Sequence, residues 1–472
     1  MGDFQGALEA RNQNLYLRGK AYLKHLARKE KLIMPGKVKT FEADVVVVGS
    51  GPGGATVARE LSTRGKKVIV CETGKYVTSL GKFYSAGLMM KKGGLTFSKE
   101  GLMLNIGNTV GGQSMVYAAA AFKPPSWLKD KYGIDLQQEV DELYEDIPVR
   151  PLSDSLLGPG VRQMMESAQA LGMDWKPVDK FIRSEKCLPN CGKCSLGCTT
   201  GAKWTAREFI DEARQKGAEL LTQTKVAKVI TEGGKAVGVE ADGPGGKITI
   251  KADTVVLSAG GQGSPLILQQ SGLHNAGDSF FVDPVLMVWG IAPKGGNMHD
   301  IPLSAGIHLK EDGILLMDVS FPLLLALGLV AYTGTGGLAY LRKAIHHNKL
   351  LAVMVKVRDE LNGQVHTDGS ISKPIDDAAK QKLDKGVGIA REILRKAGVK
   401  DEDVFVNKPL GGHPGGSVRV GDHLDTNCQT QITNCYCVDN SIFPEPWGQP
   451  PVVTIVAMAK RLAKHLGADK KP

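Results

Sequence analysis

Between Asp44 and Glu72 the pattern of apolar and polar positions changes period. Val45 to Val48 is an unbroken apolar run, as expected of a strand buried on both faces. Gly49-Ser50-Gly51-Pro52-Gly53-Gly54 interrupts it, a helical segment continues to Leu61, and Val68-Ile69-Val70-Cys71-Glu72 forms a second apolar run. The predicted order is strand, glycine turn, helix, strand. Further along, Thr205 to Gly217 has a helical pattern, and Val226 to Glu240 predicts a hairpin turning at Gly233-Gly234. Thr254 to Gly261 is another buried strand ending in small residues, followed by a helix through Leu268. From Phe280 to about Val357, short apolar runs alternate with turns, which predicts an antiparallel sheet. Residues 126–186 are expected to be mostly helical, a cap rather than sheet. Ala378 to Ala397 is a charged amphipathic helix, and Pro451 opens a last helix running to Leu466.

The first of these patterns carries chemistry. Gly49 permits a tight turn, Gly51 lets the backbone approach a pyrophosphate, and Gly54 lets the helix pack close to the strand. The helix N-terminus then presents free N–H groups to the phosphates. Glu72 closes the second strand, where a carboxylate meets ribose hydroxyls. This unit does not choose between FAD and NAD. A second glycine loop, with Gly107, Gly111, Gly112, Ser114 and Tyr117, suits a cofactor or a plain surface turn. In Gly411-Gly412-His413-Pro414-Gly415-Gly416-Ser417, one histidine stands where backbone can approach a ligand closely. A neutral imidazole there could take a hydroxyl proton while hydride leaves the same carbon, or it could be structural.

Composition narrows the class. The chain has 472 residues, 42% of them apolar, enough for large cores and two domains. Its formal charge of +10 is partly local, because residues 1–40 carry far more Lys and Arg than acid. Leu8, Leu15, Tyr22 and Leu26 fall near one face of that segment. It is expected to be a helix docked on the protein's own surface, or attached to an anionic membrane or acidic partner. No motif for nucleic acid accompanies the charge. No apolar core of signal-peptide length opens the chain, which predicts a cytoplasmic protein, with the inner membrane face as the alternative site. Val319 to Leu341 contains no charged residue, but Pro322 and several glycines interrupt it. That run is expected to be the buried wall of an apolar cavity, with shallow membrane contact as the lesser reading.

The order of motifs resembles the glucose-methanol-choline (GMC) family of FAD oxidoreductases, over most of residues 41–466. The matching pieces are the Gly49 turn with Glu72, the Gly111-Gly112-Gln113-Ser114 loop, Ser258-Ala259-Gly260, the His413 loop, Val438-Asp439, and the helix after Pro451. The long-chain alcohol oxidase branch looks nearest. The resemblance implies an α/β fold, with a Rossmann-like FAD-binding domain built on a parallel sheet and a substrate domain carrying an antiparallel sheet. It implies FAD held by Gly49, Gly51, Gly54, Glu72, Gly111, Gly112, Ser114, Val226, Ala259, Asp439, Pro451 and Val452. It also implies that His413 is the base beside the flavin. The corresponding domains are 41–125, 199–275 and 405–472 for FAD and 276–404 for substrate, with a basic extension over 1–40 and a cap over 126–198. The family usually has His or Asn before the last helix; this chain has Pro450, so Gln449 is the nearest candidate for a second catalytic side chain.

The cap holds the remaining signal. Cys187-x3-Cys191-x2-Cys194-x3-Cys198 concentrates four of the eight cysteines. Thiolates at such spacing bind an iron-sulfur cluster, most readily [4Fe-4S], or structural zinc; free thiols are the bland alternative. Cys428, Cys435 and Cys437 are candidate remote ligands. The combined expectation is an FAD-dependent dehydrogenase that moves a hydride between an apolar alcohol and flavin. Its electrons would pass through the cluster to an acceptor protein or a quinone. The same chemistry can run backwards as carbonyl or alkene reduction, fed by a donor protein. The rival from another class is a flavin-binding electron-transfer subunit with a zinc staple.

Overall fold

The computed structural model describes residues 38–332 and 345–468. Residues 1–37 of the basic N-terminal segment and residues 333–341 of the charge-free run lie outside these. The first strand, Lys39–Val48, pairs in parallel with Val68–Cys71 on one side and Gly246–Leu257 on the other. Val45 to Val48 are buried, as a strand covered on both faces requires. Glu219–Leu221 extends the sheet beyond Val68–Cys71, and Cys435–Cys437 pairs in parallel with Gly246–Leu257. The predicted hairpin is present as Lys225–Glu232 and Lys235–Gly243, antiparallel to each other, which completes a mixed seven-stranded sheet. Helix Pro52–Thr63 begins with proline in its first turn, where the missing N–H costs no hydrogen bond. It lies beside the last helix, Val452–Gly467, and Lys460 of that helix reaches Glu60 and Asp146.

The second sheet has eleven strands around the long strand Asp278–Ile291, which pairs antiparallel with Leu350–Val357 and with Leu410–Gly415. Ile314–Asp318 and Ala305–Leu309 continue it. Helix Asp377–Lys396 begins at Asp376, whose carboxylate accepts from the N–H of Ala379. It packs on Leu350–Val357 at Gly386, where an added Cβ would meet Val355 at 2.3 Å. The fold is therefore mixed α/β, with one largely parallel and one largely antiparallel sheet.

Three expectations need correction. Residues 126–186 are not purely helical: Val149–Pro151 pairs with Asp179–Phe181, and Lys176–Pro177 joins the antiparallel sheet beside Ala305–Leu309. Phe181 and Trp175 are fully buried there, so the cap is fastened by strands as well as helices. Strands Met103–Leu104 and Leu410–Gly415, in segments assigned by sequence to the FAD domain, lie in the antiparallel sheet. The charge-free run is not wholly buried. Ala326 is buried in helix Leu323–Ala331, whereas Leu323 and Leu324 are 42% and 53% exposed. No helix among the described residues is long and apolar enough to cross a membrane.

Candidate active site and cysteine centre

The glycine turn is shaped by what presses on it. A Cβ on Gly49, which has φ of +102°, would stand 2.2 Å from the Ser258 carbonyl oxygen. One on Gly53 would meet the Val438 carbonyl oxygen at 2.0 Å, and one on Gly54 would meet that of Gly49 at 2.1 Å. Gly51 differs: nothing lies within 4 Å of its Cβ position, and its φ of −67° suits any residue. Helix and strand packing thus account for three of the glycines, while Gly51 opens onto free space. The second glycine loop closes over this turn, because a Cβ on Gly112 would lie 2.9 Å from the Gly51 Cα.

Glu72 is buried and already engaged. Its carboxylate accepts from the Ser50 N–H at 3.1 Å, the Ser50 hydroxyl at 2.5 Å and the Gly74 N–H at 2.6 Å. Burial raises its pKa and these hydrogen bonds offset part of the rise. The Ser50 hydroxyl also accepts from the Gly111 N–H at 3.1 Å, and Ser114 donates to the Gly111 carbonyl at 2.5 Å, so both loops share one network. Val226 is buried two residues beyond Thr224, whose N–H donates to the Glu72 carbonyl. Asp439 accepts from the Gly260 N–H at 2.8 Å and the Ser264 hydroxyl at 2.6 Å, which ties the turn after Ala259 to the strand before the last helix. Pro451 caps that helix and Val452 is its first residue. Ser50, Glu72, Gly111 and Ser114 are thus brought into one network, and Asp439 reaches Gly260 across 179 positions of sequence.

His413 is displaced toward the same region by a bulge. Gly412 pairs with Asp283 and Gly415 with Phe281, so His413 and Pro414 stand opposite Val282 alone. Such a bulge re-aims a side chain, and here it leaves His413 at φ of +47°. Asn440, the residue after Asp439, donates to the carbonyls of His413 at 2.7 Å and Pro414 at 3.0 Å. The imidazole keeps 28% of its surface, and its Nδ1 lies 2.8 Å from a carboxylate oxygen of buried Asp283. Lys356 Nζ lies 3.0 Å from the same nitrogen and 3.3 Å from Asp283. Nδ1 thus faces both a carboxylate oxygen, which accepts, and an ammonium, which donates; the tautomer that donates Nδ1–H to Asp283 leaves Nε2 as the basic nitrogen. Burial and the Lys356 charge lower the His413 pKa, and Asp283 opposes them.

Asp283, Lys356 and His308 were not singled out from sequence. Each is a polar residue inside an apolar strand, which is the one signal that could have found them. In register, His308 faces Leu315, Leu315 faces Lys356, and Lys356 faces Val285. These side chains therefore share a face of the sheet with Met287, Trp289, Met317 and Met354, a separate apolar cluster. The Gln449 amide nitrogen donates to His308 Nδ1 at 2.8 Å, so Gln449 is paired with that ring and not with His413.

The four cysteines Cys187, Cys191, Cys194 and Cys198 are free thiols lining one small cavity with Lys203 and Ile301. No three His, Cys, Asp or Glu side chains among the described residues gather closely enough to hold a single metal ion. The remote candidates Cys428, Cys435 and Cys437 are corrected: all three are buried, Cys435 and Cys437 within a strand of the mixed sheet, and none of them lines this cavity. The Cys198 sulfur accepts from the Lys203 N–H at 3.4 Å and lies 3.4 Å from the Thr200 hydroxyl.

A dinucleotide-type turn on a mixed sheet therefore lies in one chain with an antiparallel sheet that presents a histidine. Residues 85–302 match the family model for GMC oxidoreductase. Among individual proteins, the chain is similar to an uncharacterized protein of Methanocaldococcus jannaschii, 27% identical over 426 residues, covering 90% of this chain and 99% of that one. It is also similar to a long-chain-alcohol oxidase of Arabidopsis thaliana, 29% identical over 513 residues, covering 90% of this chain and 68% of that one. The solved structure of pyridoxine 4-oxidase from Mesorbium loti superposes with a TM-score of 0.67 at 18% identity, covering 89% of this chain and 98% of that one, and so shares the fold.

Proposed function

We propose that this protein is an FAD-dependent oxidoreductase acting on the CH–OH group of an apolar alcohol, a dehydrogenase whose electrons leave through the cysteine centre to a protein or quinone-type acceptor. The observation that carries the reading is His413, held by Asp283 at one end of an apolar sheet face and joined through Asn440 and its neighbour Asp439 to the turn at Gly260.

The residues present fit FAD. Gly51 faces open space that suits a pyrophosphate; Gln113, next to the Gly112 that rests on Gly51, keeps a buried Oε1 without a partner, and Asn440 Oδ1 and Thr454 Oγ1 are likewise unpartnered. The proposed holders are Gly49, Gly51 and Gly54 for the phosphates, and Glu72 with Val226 for the adenosine end. The proposed flavin holders are Gly111, Gly112, Ser114, Ala259, Asp439, Pro451 and Val452. When bound, FAD supplies a two-electron acceptor able to take hydride from carbon. The chain supplies the rest. His413 Nε2 takes the hydroxyl proton, and Asp283 holds the ring in the tautomer that leaves Nε2 free. The N-terminus of helix Val452–Gly467, with no acidic residue in its first turn, favours negative charge beside it. Gln449, bonded to His308, supplies a second polar side chain.

The test is spectral. Under argon, a long-chain primary alcohol should bleach the bound flavin, and in air turnover should need an added one-electron acceptor. Hydrogen peroxide formed in proportion to alcohol would make the protein an oxidase instead, the activity in the name of its Arabidopsis relative.

A further inference from the structure

Two lysines stand out as buried cations that the chemistry above does not use. Lys180 is fully buried and Lys203 is 2% exposed. Neither has a carboxylate within ion-pair distance among the described residues, unlike buried Lys356 and Lys373, which pair with Asp283 and Asp359. Lys180 Nζ donates to the carbonyls of Ala118, Pro302 and Leu303 at 2.6, 2.5 and 3.0 Å. Lys203 Nζ donates to Cys194, Met115 and Tyr117 carbonyls at 2.7, 2.9 and 3.1 Å. Carbonyls satisfy the hydrogens but leave the charges uncompensated. A buried charge without a counter-charge is expensive, by several kcal/mol in order of magnitude. The groups near both lysines that can become negative are the cysteines, Cys194 above all, with Asp318 the more distant carboxylate facing Lys180.

We infer that Cys187, Cys191, Cys194 and Cys198 hold a polynuclear iron-sulfur cluster, that Lys180 and Lys203 are its counter-charges, and that Lys203 joins it to the loop lying on the dinucleotide turn. Three independent observations lead there. The four cysteines line one cavity, and thiolates at their sequence spacing are the ligand type of a cubane. The N–H of Lys203 donates to the Cys198 sulfur, the kind of bond that stabilises a metal thiolate. And the ammonium of Lys203 bridges the Cys194 backbone to Met115 and Tyr117, in the loop whose Gly112 rests on Gly51.

The role of the cluster rests on the proposed flavin chemistry. Oxidation of an alcohol to a carbonyl releases two electrons and two protons. One proton goes to His413 and the other travels with the electron pair as hydride. A cluster held there would let the two electrons leave one at a time to two equivalents of a one-electron carrier, with the protons passing to solvent.

The experiment uses full-length protein purified anaerobically and assayed for iron, acid-labile sulfide, zinc and FAD. The expected result is roughly four iron and four sulfide per chain, the content of a cubane, with a low-temperature paramagnetic signal after dithionite reduction. Stoichiometric zinc without iron would overturn the inference, as would absence of any cluster after reconstitution with ferrous iron and sulfide. Lys203→Met should move the cluster's reduction potential to a more negative value, and Lys203→Arg should restore it. An unchanged potential in a folded, cluster-loaded Lys203→Met would remove the counter-charge role. Lys180→Met gives the same readout if the first variant fails to fold. Metal content and flavin bleaching are read separately: a cluster without alcohol bleaching would defeat the flavin reading alone, and bleaching without a cluster would defeat this one alone.

Discussion

At the scale of single residues, the site depends on how one imidazole is held. His413 is squeezed between a carboxylate that raises its pKa and two influences, burial and Lys356, that lower it, with a net lowering from the ordinary 6.5. The sign follows directly. A general base works when neutral, so flavin reduction should be independent of pH above 6.5 and should fall only at more acidic pH, as the imidazole protonates. Asp283→Asn removes the group that raises the pKa and the acceptor that selects the tautomer. It should therefore slow reduction throughout and move the acid limb to still lower pH. Lys356→Met should move the limb the other way. A pH profile of single-turnover reduction in each variant checks this, and a limb that stays fixed in both would separate His413 from its neighbours.

At the scale of elements, the glycine turn combines two kinds of constraint that one motif conceals. Gly49, Gly53 and Gly54 are required by strand and helix packing, and Gly51 only by what occupies the space beyond it. Gly49→Ala should therefore destabilise the protein by more than about 1 kcal/mol, because its φ is positive and its Cβ would meet backbone. Gly51→Ala should melt like the parent once both are stripped of FAD, yet bind FAD far more weakly. Thermal melts with and without FAD distinguish the two. A Gly51→Ala protein that retains full FAD affinity would show that the phosphates do not pass there.

The same contrast explains what the sequence disclosed at this scale. Alternation of apolar runs and turns revealed the parallel strands, the hairpin and the antiparallel sheet, because both faces of Val45–Val48 and long stretches of Asp278–Ile291 are buried. The bulge at His413 was invisible, since it arises from a register shift between strands more than a hundred residues apart. Lys176–Pro177 is too short to have a pattern of its own and becomes a strand only by pairing with Ala305–Leu309.

At the scale of the whole molecule, two centres are joined by the loop after Gly111. On one side it meets the dinucleotide turn through Ser50 and Gly51, and on the other it meets the cysteine cavity through Lys203. The cysteines and His413 were legible because each stands in a dense local motif. Asp283, Lys180 and Lys203 were not, because a buried ion is recognisable only when its surroundings are known. The exposed Leu323 and Leu324 likewise depart from the buried wall that an uncharged run suggests.

The central claim is that His413 is the base for a hydride transfer to flavin, and rapid mixing of FAD-loaded His413→Ala with alcohol under argon tests it most directly. The expected result is FAD content equal to the parent, since the phosphates and ribose are held elsewhere, with flavin reduction slowed about 100-fold or more, the usual contribution of a positioned base. Reduction at the parental rate, normalised to bound flavin, would contradict the account.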